Sequence, residues 1–376
     1  MVRVSLFVYI PTIFFMKKKK KIRVFEWFAW YWWASFALKR IKKENKNFDY
    51  EIVAYSEIDK YASDLFDLNH KDKNWNLIKN YNDITLADPM EKNFPDFDLF
   101  TWWFPCQPFS SAWMQKWVND PYWRWTLFQH IIRICAVKKP KYILMENVKW
   151  LLSKKFDDTR DEMKKMLREL WYVSDKDDMN EEPLAMAILN SKDYWIPQNR
   201  ERLRMFARLW WLPKWFSIIP PINKNDKKMA DFLDPQWFVP QELYLSKDQV
   251  EHLKVKHNID SFIVDTPLCL DIYNKKIKRD GYCITITMPE HNSLRVIESH
   301  KNKEVVRKMS VTEQFRLMWL EWLKWIDREI DIDFWNQSYT QLSKRAWNWR
   351  DVNLVSILMK HIFSQLKDID SDIFTF

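Results

Sequence analysis

Residues 22–43 read IRVFEWFAWYWWASFALKRIKK, and this stretch decides the fold. Ile22 to Phe28 is an apolar run of β type. A five-residue loop follows, then a helical pattern from about Ala34 to Lys43. The unit repeats as a strand over Glu51 to Ile58 and a helix from about Lys60 to Leu68. Phe97 to Phe104, Tyr142 to Val148 and Leu203 to Leu209 are further short apolar runs. Amphipathic stretches such as Leu127 to Val137 and Asp161 to Leu170 lie between them. Strand–helix alternation predicts an α/β fold with a doubly wound, mostly parallel sheet covered on both faces. Ligands of such sheets bind beyond the carboxyl ends of the strands.

The same stretch carries Trp27 near the strand end, and Trp30, Trp32 and Trp33 where the strand-to-helix loop calls for glycine. The whole chain of 376 residues has 24 tryptophans and one glycine, Gly281. Glycine serves wherever φ is positive or the backbone must come close to a ligand, and an indole cannot take that place. The expectation is that most of these tryptophans stand for glycines in the functional protein. UGA is read as tryptophan in some genetic codes and as glycine in others.

Charge and cysteine content narrow the class. The net charge of +9 and pI near 9.1 favour a polyanionic partner, although a generic basic protein has the same balance. Cys106, Cys135, Cys269 and Cys283 form no C-x-x-C pair, so neither a zinc site nor a disulfide framework is indicated. A reducing cytoplasm suits them. Residues 1–15 are mostly apolar, and Met16 is followed by Lys17 to Lys21. Charge after the apolar run is the reverse of a signal peptide, and the run is too short to span a bilayer. Residues 1–15 read as a spurious extension ahead of a start at Met16, with a membrane-surface anchor as the alternative.

The pattern changes after about Leu209. Residues 210–305 are rich in Pro, Lys and Asp, with short strand-like runs such as Tyr282 to Met288. Ser310-Val-Thr-Glu313 predicts a capping box at a helix start. A final helix is predicted from about Asp351 to Gln365. The expected division is a catalytic and cofactor-binding domain over 16–209, a smaller irregular domain over 210–335, and a segment over 336–376 that returns to the first.

Three segments carry chemistry. Phe104-Pro-Cys-Gln-Pro-Phe-Ser110 sets Cys106 just beyond a strand end, where a nucleophile is presented; a lone cysteine is otherwise a small buried apolar residue. Met145-Glu-Asn-Val148 sets Glu146 at another strand end, as a proton donor or as an ordinary surface acid. Pro197-Gln-Asn-Arg-Glu-Arg202 sets Arg200 and Arg202 two apart on a strand-like run, facing one way. Together they suit a phosphate or a base edge; the alternative is a solvated edge strand. With glycine at the tryptophans, residues 25–36 become FEGFAGYGGASF and residues 101–110 become TGGFPCQPFS. Residues 194–202 become YGIPQNRER, and 346–349 become AGNG.

In this form the sequence resembles the DNA (cytosine-5)-methyltransferase family, of the bacterial or phage restriction-modification type, from Ile22 to Phe363. Pro-Cys-Gln-x-Phe-Ser, Glu-Asn-Val and Gln-x-Arg-x-Arg stand in family order without any restoration. Arg307-Lys-Met-Ser-Val-Thr-Glu313 and Gln337 to Val352 resemble the later motifs. The resemblance implies that Cys106 adds to C6 of a flipped-out cytosine in duplex DNA while C5 takes a methyl group from S-adenosyl-L-methionine. It implies that Glu146 acts at N3, that Arg202 and Arg200 contact the base or its sugar-phosphate, and that Gln107, Ser110, Asn147 and Gln198 serve the DNA side. Phe28, Glu57, Ile58, Asp83, Ile84, Pro105, Leu127 and Asn348 would line the cofactor pocket, with Glu57 on the ribose hydroxyls and Asp83 at the adenine amino group. Asp83 as a turn cap and Leu127 as plain core are the simpler readings. Residues 210–305 would read the target, with Lys275-Lys-Ile-Lys-Arg279 as a phosphate contact or a solvated hairpin. The type admits a cognate restriction endonuclease as partner, and its members act as monomers in the cytoplasm. Two alternatives stand beside it: an RNA cytosine-5 methyltransferase on the same fold, or a catalytically dead DNA-binding protein if the tryptophans are real.

Overall fold

The computed structural model describes residues 21–27, 33–103, 125–173, 182–222, 226–287, 289, 292–300, 303–319, 337–348, 351–367 and 369. The N-terminal stretch, Phe28, Pro105, Cys106, Gln107 and Ser110 lie outside them. The chain runs β1 (Ile22–Trp27), α1 (Trp33–Glu44), β2 (Tyr50–Ser56), α2 (Lys60–Asn69), β3 (Leu99–Trp103), α3 (Trp125–Lys138), β4 (Tyr142–Asn147) and α4 (Asp157–Glu169). It continues with β5 (Ala185–Asn190), β6 (Gln198–Asn199), β7 (Glu201–Arg208), α5 (Lys247–His257), β8 (Leu268–Asp271) and β9 (Lys276–Lys278). The last elements are β10 (Cys283–Ile284), β11 (Leu294–His300), β12 (Lys303–Arg307), α6 (Val311–Arg316), α7 (Tyr339–Asn348) and α8 (Val352–Leu366).

The central sheet has six strands in the order β2-β1-β3-β4-β7-β5. The first four are parallel, and β7 runs antiparallel to both neighbours. Apolar residues on consecutive positions explain why both faces are covered. Val24 and Leu99 face one way, into a core with Ala37, Ile41, Leu358 and Phe363 of α1 and α8. Phe25 and Phe100 face the other, into a core with Ile131 and Ile134 of α3 and Leu167 of α4. Successive strand residues point to opposite faces, so a strand buried on both sides reads as a continuous apolar run.

The structure corrects several expectations. The second strand stops at Ser56, which leaves Glu57 and Ile58 beyond it. The strand expected over Leu203 to Leu209 begins at Glu201 and is antiparallel. Strand β5 was not anticipated; its exposed Ile188 and part-buried Met186 blur the alternation. Among the described residues of the Tyr282 to Met288 run, Cys283–Ile284 alone form a strand.

After β7 the chain builds a four-stranded antiparallel sheet, β12-β11-β8-β9, more regular than expected. A small core of Val250, Phe262, Leu270, Ile297 and Val306 lies against α5. The Lys275 to Arg279 cluster sits on the β8–β9 hairpin. Arg307, fully buried, pairs with Glu298 and, at 2.8 Å, with Glu313. Glu313 closes the capping box with Ser310 at the start of α6. The C-terminal helix α8 returns to pack on α1, capped by Asp351, whose carboxylate accepts from the Leu354 N–H at 3.1 Å. Among the described residues no helix is long and apolar enough to cross a membrane.

Candidate active site

Because β2, β1, β3 and β4 are parallel, their carboxyl ends share one edge of the sheet. Antiparallel β7 brings its amino-terminal end to that same edge. The topology therefore gathers Glu57, the end of β3, the Glu146-Asn147 pair and Arg202 along one rim.

Glu146 is the best-defined group there. It is fully buried on β4 and directly opposite Arg204 of β7, with which it forms an ion pair. The Arg202 guanidinium lies 3.7 Å from its other carboxylate oxygen. Cross-strand partners lie on the same face of a sheet, and β7 residues two apart share it too. Two arginines thus fix one buried acid. Arg204, 2% exposed, was not among the sequence-predicted residues. The signal was present: Arg200, Arg202 and Arg204 recur at every second position. The pair two apart on the strand is Arg202 and Arg204, because β7 begins only at Glu201. Arg200 precedes it, buried, and donates to the Trp347 carbonyl at 3.1 Å, which ties this segment to α7.

Asn147 and Gln198 are both fully buried. Among the described residues, Asn147 Nδ2 and both amide atoms of Gln198 have no hydrogen-bond partner. Native structures rarely leave such groups unsatisfied.

At the other end of the rim Glu57 is 2% exposed. Its backbone N–H and C=O are both held by the Asn80 side chain at 3.0 Å. One carboxylate oxygen accepts from the Asp59 N–H at 2.7 Å. Asp59 caps α2 and pairs with buried Arg345 of α7 at 3.2 Å. The helix that carries Asn348 is thereby brought beside the β2 end. The Ser56 hydroxyl donates to the Asn82 carbonyl at 2.6 Å and anchors the Asp83 loop to the same strand. Asp83 Oδ1 accepts from the N–H and hydroxyl of Thr85, at 2.9 and 2.8 Å, as a turn cap would. Ile84 is buried in the apolar core and Ile58 is exposed. Leu127 and Asn348 lie in α3 and α7, with side chains outside the described set.

Glu26, unmarked by any sequence motif, is a further buried acid near the end of β1. It is buried on β1, and its carboxylate accepts from the N–H groups of Ala34 and Ser35 at the start of α1, at 3.1 and 3.4 Å. An acid at a helix amino terminus satisfies otherwise orphaned donors. Glu26 therefore ties the end of β1 to the start of α1. Burial pushes its carboxyl up to about 7 against the lowering effect of those bonds.

A cleft of about 1040 Å³ opens elsewhere, between the smaller sheet and α7, lined in part by Arg295, Lys308 and Tyr339. Among the described residues, none of the sequence-predicted ones lines it.

Sheet order and rim together define a methyltransferase fold. The structure superposes on the S. pombe Dnmt2 methyltransferase with a TM-score of 0.63 at 21% identity, covering 92% of this chain and 99% of that one. It superposes on the Entamoeba histolytica methyltransferase EhMeth with a TM-score of 0.60 at 19% identity, covering 93% and 100%. The chain belongs to the C-5 cytosine-specific DNA methylase family, whose model matches residues 23–321. It is 30% identical to the Type II methyltransferase M2.ScrFI of Lactococcus lactis subsp. cremoris over 76% of this chain and 72% of that protein. It is 34% identical to the Type II methyltransferase M.HhaI of Haemophilus parahaemolyticus over 54% of this chain, a match spanning 53% of that protein's length.

Proposed function

We propose that the protein methylates C5 of a flipped-out cytosine in a specific duplex DNA sequence, using S-adenosyl-L-methionine. The observation that carries this reading is the buried Glu146 carboxylate held by Arg202 and Arg204 at the carboxyl edge, next to the strand that leads into Cys106. The Cys106 thiolate forms a bond to C6, and Glu146 hydrogen-bonds or protonates N3, which draws electron density from C6. Arg202 orients Glu146 and contacts the base or its sugar-phosphate. Asn147 and Gln198 offer unsatisfied polar groups toward the DNA side, where Gln107 and Ser110 also belong. When bound, S-adenosyl-L-methionine supplies an electrophilic methyl group. Glu57 suits its ribose, as an acid beyond the second strand does in nucleotide-binding folds. Asp83, Ile58, Ile84, Phe28, Pro105, Leu127 and Asn348 are the proposed remainder of that pocket. Loss of the C5 proton and cleavage of the Cys106–C6 bond regenerate the enzyme.

Residues 210–335 would read the target sequence, and a cognate endonuclease would be the partner in a restriction-modification pair. Labelled methyl transfer to duplex DNA and to RNA, compared side by side, tests the reading. Label in cytosine C5 of DNA alone is the expected result. Transfer to RNA alone would replace it with the RNA-directed alternative.

A further inference from the structure

The tryptophan excess acquires a structural address. Nine described residues other than glycine have positive φ, and five are tryptophans: Trp75, Trp171, Trp195, Trp210 and Trp319. Tryptophan makes up only 24 of 376 residues, so chance placement does not account for this. Their φ values of 61° to 76° approach the 78° of Gly281. The left-handed region costs an L-residue with a Cβ and is glycine's ordinary place.

The hydrogen bonds say which turns these are. Trp171 follows α4 as the first residue past its C-cap, Leu170. Its N–H donates to the Arg168 carbonyl at 2.9 Å, and the Tyr172 N–H donates to the Leu167 carbonyl at 3.0 Å. That pair of bonds is the Schellman motif, whose left-handed residue is usually glycine. At Trp75 the N–H donates to the Asp72 carbonyl at 3.1 Å, and the Asp72 N–H to the Asn76 carbonyl at 2.9 Å. This is a type I turn closed by a left-handed residue, again glycine's position. Trp195 follows the short helix at Ser191–Asp193, with the Ile196 N–H donating back to the Ser191 carbonyl at 3.4 Å. Trp210 donates its N–H to the Trp171 carbonyl at 2.7 Å, where two chain segments meet. At three of the five the core does not ask for the indole: Trp75 is 85% exposed, Trp171 50% and Trp210 58%, whereas Trp319 packs partly buried against the main core.

We infer that the protein made in its own cells carries glycine at Trp75, Trp171, Trp195, Trp210 and Trp319, each encoded by UGA and inserted by a glycine-charged tRNA. Full-length functional protein is then confined to cells holding that tRNA. Ribosomes that stop at UGA release a fragment, and those that insert tryptophan make a chain strained at each of these turns. The inference stands on backbone geometry and composition and does not rest on the proposed activity.

Peptide mass spectrometry of the protein purified from cells in which the gene occurs tests it. Peptides spanning the five sites should each be lighter by the difference between an indolylmethyl group and a hydrogen atom, with UGA at each codon. Tryptophan masses at these sites, or UGG codons, would overturn the inference. A second measurement uses the chain as written, with glycine or alanine placed at one site at a time. Removal of the indole is common to both variants, so their difference isolates the backbone. Glycine should exceed alanine by roughly tenfold in the folding equilibrium constant at each site. Equal stabilities at all five would show that the turns do not demand glycine.

Discussion

Replacing Arg204 with methionine removes one partner of the Glu146 pair while keeping an unbranched stem of similar length. Glu146 is fully buried and Arg204 is 2% exposed, so water does not replace the lost partner without local opening. Breaking a buried pair by removing one member costs about 3–5 kcal/mol, because the remaining charge is left uncompensated. Arg202, 3.7 Å from Glu146, retains part of the compensation and places the expected loss near the lower end, at about 3 kcal/mol. Against a typical total of 5–15 kcal/mol this is a large fraction. Urea unfolding followed by intrinsic fluorescence reads it as a lower midpoint at unchanged slope. The double variant with Glu146→Gln should be less destabilised than the sum of the two single changes, with a coupling of roughly 1–3 kcal/mol. Additive losses, or a loss below about 1 kcal/mol for Arg204→Met, would show that the two groups do not hold each other.

Three further perturbations test separate parts of the rim. Glu26 has a folded-state carboxyl raised to about 7 from 4.5, so its contribution to stability is full below about pH 4.5 and fades as the pH rises through about 7. Glu26→Gln should therefore flatten the stability profile over that window, by up to about 3 kcal/mol, and parallel profiles for the two proteins would contradict the assignment. Glu57→Gln should weaken S-adenosyl-L-methionine binding in calorimetry by roughly tenfold or more, as expected when a hydrogen bond to a charged group is lost; unchanged affinity would remove Glu57 from the pocket. Arg200→Met should cost roughly 1.5–3 kcal/mol and raise hydrogen exchange in α7, since its tie to the Trp347 carbonyl is lost. Protection unchanged in α7 would mean that this bond does not anchor the helix.

Much of the scaffold was legible in the sequence because its elements are locally determined. The β1–α1 and β2–α2 units, the Ser310 capping box and the C-terminal helix lie within a residue or two of expectation. The reversal of β7 was not, although the reason is simple. Only Ser191 to Arg200 separate β5 from β7, too few residues for a parallel crossover, so the chain turns back on itself. Arg204 is not legible alone, because a charged residue inside a strand reads as solvated until its partner across the sheet, here Glu146, is known. Glu26 carries no sequence signal for a related reason: its partners are backbone N–H groups of a helix that starts seven residues later, at Trp33. Asp83 and Ile84 show the opposite case. Sequence placed them in the cofactor pocket, and their local bonds and burial equally describe a capped turn beside the core.

The proposed mechanism turns on covalent attack by Cys106 on cytosine C6. Incubating the protein with S-adenosyl-L-methionine and duplex DNA containing 5-fluorocytosine tests it, because fluorine at C5 blocks proton loss and traps the adduct. The account predicts a protein–DNA complex that survives denaturation and is absent with Cys106→Ser. A complex that persists with Cys106→Ser would contradict it.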